Sequence, residues 1–234
     1  RGDSVRVDVV ARTRTVGHFF PGGTVDAFDV WMELQAVDDK GQIIFWSGKV
    51  DDGGNGPVES GAHFYRAYLL DERGNHINKR NAWAARSVLY VRLIPPGAAD
   101  TAHFRLNVPE TAGDRITLKA KLNYRKFAWW NTQWSFAGIR DPLDTEFGLD
   151  KAYDDGHWVF KGDLSQVSAK LKSIPNLPIV TMAEDQKEIR VVDKQAKLPE
   201  LKSIYSKEDL LRWNDYGIGL LLQGDLKAAE AVFL

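Results

Sequence analysis

Apolar and polar residues alternate along several stretches in the first half of the chain. A period of two residues, with one apolar and one polar face, is typical of a strand in an antiparallel sheet with one solvated side. The clearest stretch places these residues on its apolar face: Ile116, Leu118, Ala120, Leu122 and Tyr124. The same alternation occurs in three further ranges: Val5–Ala11, Phe28–Ala36 and Ala102–Val108.

Turn sequences separate these stretches. Asp38–Gly41 and Asp71–Asn75 carry glycine where a hairpin requires a positive φ. Less distinct strands are predicted for three ranges: Ile43–Lys49, His63–Leu70 and Ser87–Leu93. Seven short strands joined in this way predict a mainly β fold, an antiparallel β-sandwich over residues 1–138. A β-barrel is the alternative.

The alternation weakens over residues 139–205, which are predicted to form an irregular connector. Asp163 is positioned to cap a short helix that extends to Leu171 and ends before Pro175. Ile179–Met182 and Glu188–Val192 are predicted to pair as a hairpin. Charged residues and a proline then mark a linker to the final segment.

Helical spacing dominates residues 206–234, where Ser206 is suited to cap the first helix and Gly224-Asp225 separates it from a second. The spacing resembles a tetratricopeptide repeat at these positions: Trp213, Gly217, Leu220, Gly224, Ala229 and Phe233. Leu220 departs from the usual tyrosine. The small residues Gly217 and Ala229 are expected where the two helices cross, with Trp213 and Phe233 filling the space around them.

One helical hairpin buries too little surface to be stable alone, so the resemblance implies that further repeats follow. The chain is therefore expected to be part of a longer protein, with residues 206–234 as the start of the repeats.

Composition narrows the classes of function. The 234 residues include 31 Lys and Arg, 32 Asp and Glu, and no cysteine. A net charge of −1 argues against a broad nucleic-acid interface, which needs a basic face. The lack of cysteine excludes disulfides and covalently attached c-type haem within this chain. No apolar run is long enough for a transmembrane helix, and no motif of nucleophilic or nucleotide-dependent catalysis occurs, so an enzyme is not expected.

The segment Val16–Gly23 contains a histidine, His18, between a glycine and a Phe-Phe-Pro sequence. Together with the predicted sandwich and residues 213–226, it resembles the domain that follows the haem-binding region in bacterial multihaem c-type cytochromes (cytochrome c554-like), some of which continue into tetratricopeptide repeats. The resemblance implies that His18 is a distal ligand to the iron of a haem c held covalently outside this chain segment.

The resemblance also implies a non-catalytic interaction module of an exported electron-transfer protein, located in the periplasm or outside the cell. Its partners would be a haem-bearing domain or subunit and, through the helices, other protein subunits. The chain itself would shield and position haems rather than transform a substrate.

Aromatic residues suggest where such partners bind. Trp129, Trp130 and Trp134 cluster in the sequence, and Trp213 and Tyr216 lie on the first repeat helix. Packing or a protein interface is the preferred interpretation, because tryptophan buries much apolar area. An exposed, coplanar arrangement would instead indicate a carbohydrate-binding or adhesion sandwich. A cofactor-free scaffold subunit of a periplasmic or membrane complex is the third interpretation.

Three weaker candidate sites involve histidines and acids. His18, His63 and His103 could together ligate a metal, although separate surface histidines are the preferred interpretation. Asp26 and Asp29 are candidates for a carboxylate pair in glycoside hydrolysis or calcium binding, as are Asp51 and Asp52. Solvated turn acids are preferred, because Asp26 and Asp29 would point to opposite faces of a regular strand.

Overall fold

The computed structural model describes residues 1–78, 80, 82–140, 158–160, 175–193, 196 and 207–234. The strands are β1 (Asp3–Arg12), β2 (Asp29–Asp38), β3 (Ile43–Ser47), β4 (His63–Phe64), β5 (Ala67–Leu70), β6 (Ser87–Val91), β7 (Ala99–Val108), β8 (Arg115–Arg125), β9 (Gly138–Arg140), β10 (Trp158–Phe160) and β11 (Ile179–Arg190). The α-helices are α1 (Trp129–Ala137), α2 (Lys207–Leu222) and α3 (Leu226–Phe233).

Two antiparallel sheets form the predicted sandwich. One sheet consists of β1 and β7, and the other runs in the order β11, β8, β2 and β3, with β4 also paired to β2. Strands β5 and β6 form a separate ribbon, and β9 pairs with β10. The mainly β, antiparallel fold class is confirmed, with the described sheets facing each other rather than joined into a barrel.

The apolar faces that the alternation identified meet between the two sheets. Leu34, Leu106 and Ile116 are almost completely buried there. The rings of Phe45 and Phe104 meet edge-on across the sheets, with centroids 6.0 Å apart. A shift of one residue in any of these strands would turn its apolar face to solvent, so burial of this core determines the register.

The hairpin predicted within residues 179–192 is wrong. One continuous strand, β11, pairs with β8 from Ile179 opposite Arg125 to Arg190 opposite Arg115. Asp185 is followed by glutamine rather than glycine, so the chain lacks the Asn-Gly or Asp-Gly pair of a tight hairpin turn there. The helix predicted from Asp163 to Leu171 lies outside the described residues.

The predicted helical hairpin is present as α2 and α3. A Cβ atom at Gly217 would lie 2.5 Å from Cε1 of Phe233, so the glycine is required for close packing of the two helices. Ala229 is buried, also as predicted, whereas Trp213, expected to fill the space between the helices, is 49% exposed. The Asp225 side chain accepts a hydrogen bond from the backbone of α3 and caps it.

A buried ion cluster ties the start of β2 to the end of β8 and to the segment between β4 and β5. The carboxylate of Asp29 lies 2.9 Å from Nη2 of Arg125 and 3.3 Å from Nη1 of Arg66. All three side chains are buried, so the interpretation of Asp29 as a solvated turn acid is wrong. Asp26 pairs instead with Arg80 at 3.8 Å, so the two acids do not form a catalytic pair.

Replacing Asp29 should therefore be costly. The Asp29→Asn variant leaves two buried guanidinium groups without a countercharge, and we expect the free energy of unfolding to fall by about 3–5 kcal/mol. Asp26→Asn is the matched control, because its partly exposed pair should cost less than about 1 kcal/mol. Urea denaturation followed by circular dichroism measures both, and equal effects would contradict the central role of Asp29.

Candidate functional site

His18 lies on the surface in the loop between β1 and β2, and its side chain is exposed. Its Nδ1 atom lies 2.7 Å from the backbone carbonyl oxygen of Phe19. A carbonyl oxygen can only accept a hydrogen bond, so Nδ1 is the donor, and in the neutral imidazole the free lone pair is then on Nε2. Neutral imidazole with one nitrogen held in this way is the form that ligates metals.

Backbone contacts hold the loop around His18. Phe20 and Ile94 exchange two backbone hydrogen bonds of 2.8 and 2.7 Å, which join the loop to the segment that follows β6. The imidazole packs on the backbone of Gly22, where a Cβ atom would come within 2.6 Å of Cε1 of His18. One held nitrogen, one accessible nitrogen and a ring fixed by packing fit the requirements for an iron ligand.

A cleft of about 430 Å³ opens beside this loop, between β1 and β11. Val16 and Phe20 line it from the loop, and Met32 and Met182 line it from the large sheet. His18 is not among its lining residues. A group bound by His18 would therefore approach from outside the chain rather than occupy the cleft.

The predicted tryptophan cluster lies in α1. The rings of Trp129 and Trp130 are perpendicular, at 87°, with centroids 4.6 Å apart, and Trp130 is 43% exposed. Perpendicular rings do not form the flat platform on which a sugar stacks, so this pair does not support the carbohydrate-binding alternative. Trp134 follows in the same helix, and its side chain lies outside the described residues.

Helix α2 lies against the β1–β7 sheet along a polar interface, which we call the docking seam: Asp8, His63, Asp100, His103, Tyr216 and Gln223. Asp8 and His103 are directly opposite each other on β1 and β7, and their side chains are 2.8 Å apart. The hydroxyl of Tyr216 on α2 donates to the other oxygen of Asp8. Tyr216, predicted to bind a partner, thus uses its hydroxyl within the chain.

Gln223 connects the Asp8–His103 pair of the docking seam to the Asp100–His63 pair. Its Oε1 atom lies 2.8 Å from Nε2 of His103, and its Nε2 donates to Asp100 at 2.9 Å. The second oxygen of Asp100 lies 2.8 Å from Nε2 of His63. His63 and His103 therefore take part in separate hydrogen bonds to acids, and no group of three or more His, Asp or Glu that could hold a metal occurs within the described residues.

The docking seam was not predicted from the sequence. Asp8 and His103 occupy outward positions of their strands, which sequence patterns assign to solvent. One signal was available in Gly219, a second glycine inside α2, where glycine costs helix stability. A Cβ atom there would lie 2.4 Å from Oγ1 of Thr101, so this glycine lets the helix approach β7 closely. Arg12 and Asp215 add an ion pair of 2.7 Å.

Electrostatics in the docking seam favour charged carboxylates. Burial by itself would raise the pKa of Asp8. Hydrogen bonds from the side chains of Arg6, Tyr216 and His103 hold that pKa below its usual value. The pKa of Asp100 is also lowered, because bonds from His63 and Gln223 outweigh its burial. Burial and the bond to the Asp8 carboxylate raise the pKa of Tyr216 to about 12.

Comparisons with protein families and with curated proteins found no match. Among solved structures, the chain is similar to a penta-heme cytochrome c552 from Thermochromatium tepidum, with 14% sequence identity and a TM-score of 0.45. The alignment covers 80% of this chain and 36% of the cytochrome, so the chain spans about a third of that protein's length. In the part of the chain that the structure describes, no helix is both long and apolar enough to cross a membrane.

The lowered pKa values predict acid-sensitive docking of α2. Asp8 and Asp100 stabilise the fold fully above the ordinary carboxyl pKa of 3.8, and this contribution is lost as the pH falls through their lower folded values. Between about pH 5 and pH 2, the thermal midpoint of the wild type should fall further than that of Asp8→Asn.

Asp52→Asn serves as the control, because Asp52 is an exposed acid outside the docking seam. This variant should show the same pH dependence as the wild type. A parallel pH dependence of Asp8→Asn and wild type would contradict the role assigned to the docking seam.

Proposed function

We propose that this chain is a non-catalytic docking module of an exported multihaem electron-transfer protein. In this proposal, His18 is the distal ligand to the iron of a haem c that is held covalently outside this chain segment. The supporting observation is the exposed imidazole of His18, whose Nδ1 donates to the Phe19 carbonyl, so that the neutral ring has its lone pair on Nε2. A location in the periplasm or outside the cell is part of the same proposal.

The residues around His18 each have a role in this proposal. The haem iron, when bound, supplies one-electron transfer. The carbonyl of Phe19 holds the proton on Nδ1, which fixes the tautomer and strengthens Nε2 as a donor. Gly22 restricts the orientation of the ring. The phenyl ring of Phe19 is 53% exposed, and its burial against the partner would exclude water and lower the local dielectric constant.

The helices supply a second docking surface in this proposal. Seven apolar side chains of α2 and α3 are about half exposed or more: Leu210, Leu211, Trp213, Leu221, Leu222, Leu226 and Phe233. Exposed apolar groups on a helical hairpin are those that stacked repeats or a partner subunit would cover. Trp213 is the proposed anchor, because tryptophan is enriched at the centres of protein interfaces. Trp129, Trp130 and Trp134 of α1 are proposed to contact the haem-bearing partner.

Variants of the full-length, haem-loaded protein test the proposed ligand. His18→Ala should convert one low-spin haem to the high-spin form in optical and electron paramagnetic resonance spectra, with total haem content unchanged. Gly22→Ala should act in the same direction, because its methyl group would displace the imidazole. Gly17→Ala is the matched control, since a Cβ atom at this position meets nothing within 4 Å.

Unchanged spectra of His18→Ala would overturn the ligand role. Only the docking surfaces would then remain of the proposal, and these are all that the cofactor-free scaffold interpretation requires.

A further inference from the structure

The ribbon of β5 and β6 exposes an unusual number of apolar side chains. On β6, Val88, Leu89 and Val91 are 56%, 60% and 54% exposed, and Trp83 in the preceding turn is 57% exposed. A two-stranded ribbon is at best marginally stable in water without further packing. Exposed apolar clusters of this kind mark sites of interaction.

The strand register gathers the aliphatic residues on one face. Val88 is paired with Leu69, and Val91 is paired with Ala67, so all four side chains lie on the same side of the ribbon. Val88 and Val91 are three residues apart, and a regular strand would place them on opposite faces. A β-bulge in this stretch inserts the extra residue that brings them together.

The other face of the ribbon is aromatic and covered by its own rings. Tyr68 stacks on His76 with centroids 3.7 Å apart, and on Tyr90 with centroids 5.3 Å apart. The guanidinium group of Arg92 lies over the ring of Tyr90 at 5.0 Å. The aliphatic face is therefore the one that remains open for a partner.

The outer edge of β6 is open to a further strand, because its sheet has only β5 beside it among the described strands. Tyr90 is paired with Tyr68, and the backbone nitrogen of Arg92 donates to Arg66 at 3.0 Å. Val91 lies between these two pairs, so its N–H and C=O groups point toward the outer edge. Unpaired backbone groups next to an apolar face are the features that strand addition uses.

The charge around β6 favours an acidic partner. The sequence from Arg73 to Ala99 has five Lys and Arg residues and no Asp or Glu, although the whole chain has a net charge of −1. Arg86 and Arg92 lie just beyond the two ends of β6 and donate to backbone carbonyls. No carboxylate of the described residues forms an ion pair with either of them.

We propose that the edge of β6 binds an extended acidic segment of another protein by strand addition. Apolar side chains of the segment would cover Val88 and Val91, and its carboxylates would pair with Arg86 and Arg92. Because of the bulge, the alternation places Arg86 on the aliphatic face and Arg92 on the aromatic face, so they match acids an odd number of residues apart, about five along a regular strand. A lipid surface is disfavoured, because hydrocarbon would leave the open backbone edge unsatisfied. The proposal does not depend on the role of His18.

Synthetic peptides test this proposal on the whole chain. The probe is a fluorescein-labelled hexapeptide with glutamate at both ends and alternating valine and threonine between them. It should bind saturably in fluorescence anisotropy, and added salt should weaken the binding. The same peptide with terminal lysines, and one with alternate backbone amides methylated on the pairing edge, should each bind about tenfold more weakly or worse.

Three results would overturn the proposal: absence of binding by the acidic peptide, equal binding of the methylated peptide, or preferential binding of the whole chain to anionic phosphatidylglycerol vesicles. Absence of binding would exclude the peptide site, and equal binding of the methylated peptide would exclude strand addition. Preferential binding to vesicles would assign the surface to lipid.

Variants then locate the site. Val88→Glu and Arg86→Glu should each weaken binding of the acidic peptide about tenfold. Val180→Glu is the matched control, because Val180 is 51% exposed on β11, another edge strand, and should leave binding unchanged. Circular dichroism verifies that each variant is folded, as expected for exposed positions. Equal loss of binding in Val88→Glu and Val180→Glu would place the peptide elsewhere.

Discussion

The carboxylate of Asp29, held between Arg66 and Arg125, is the constraint on which the surfaces of this protein depend. The loop with His18 ends at Asp29, the ribbon begins directly after Arg66, and the helix that starts at Trp129 follows Arg125. Burial of these charges is tolerated only because they are paired. One cluster therefore positions the candidate haem ligand, the proposed peptide edge and the tryptophan helix relative to the same sheet.

The unequal width of the two sheets leaves part of the large sheet uncovered. The β1–β7 sheet is too narrow to cover the whole large sheet, so a cleft remains between β1 and β11. Its outer face is contacted by α2 through the docking seam. Hydrogen bonds and charges in that seam orient the helical hairpin, and the net stability that each adds is modest because buried polar groups must first lose their hydration. The hairpin thus presents its exposed apolar residues in a defined direction.

Strands could be predicted from the sequence where one face is buried and the other is exposed. The strands with strict alternation were predicted because one face of each packs in the core. A hairpin was predicted in place of β11, because nearly all residues of this strand are exposed and no apolar face reveals the alternation of a single strand. The prediction of Asp29 as a solvated acid was wrong because a turn-rich sequence can place an acid either in solvent or in the interior. His18 became a candidate ligand through a resemblance, its role stays a prediction, and the structure added the contact of its Nδ1 with the Phe19 carbonyl.

By itself the sequence determined the features that depend on local periodicity: the alternating strands, the helical hairpin, and Gly217 as the small residue facing Phe233. Only the tertiary structure decided which residues distant in the chain meet. The partners of Asp29, the link from His103 to α2 and the bulge that aligns Val88 with Val91 all depend on strand register and on contacts across the fold. These are set by the packing of the whole core, and no local pattern of residues encodes them.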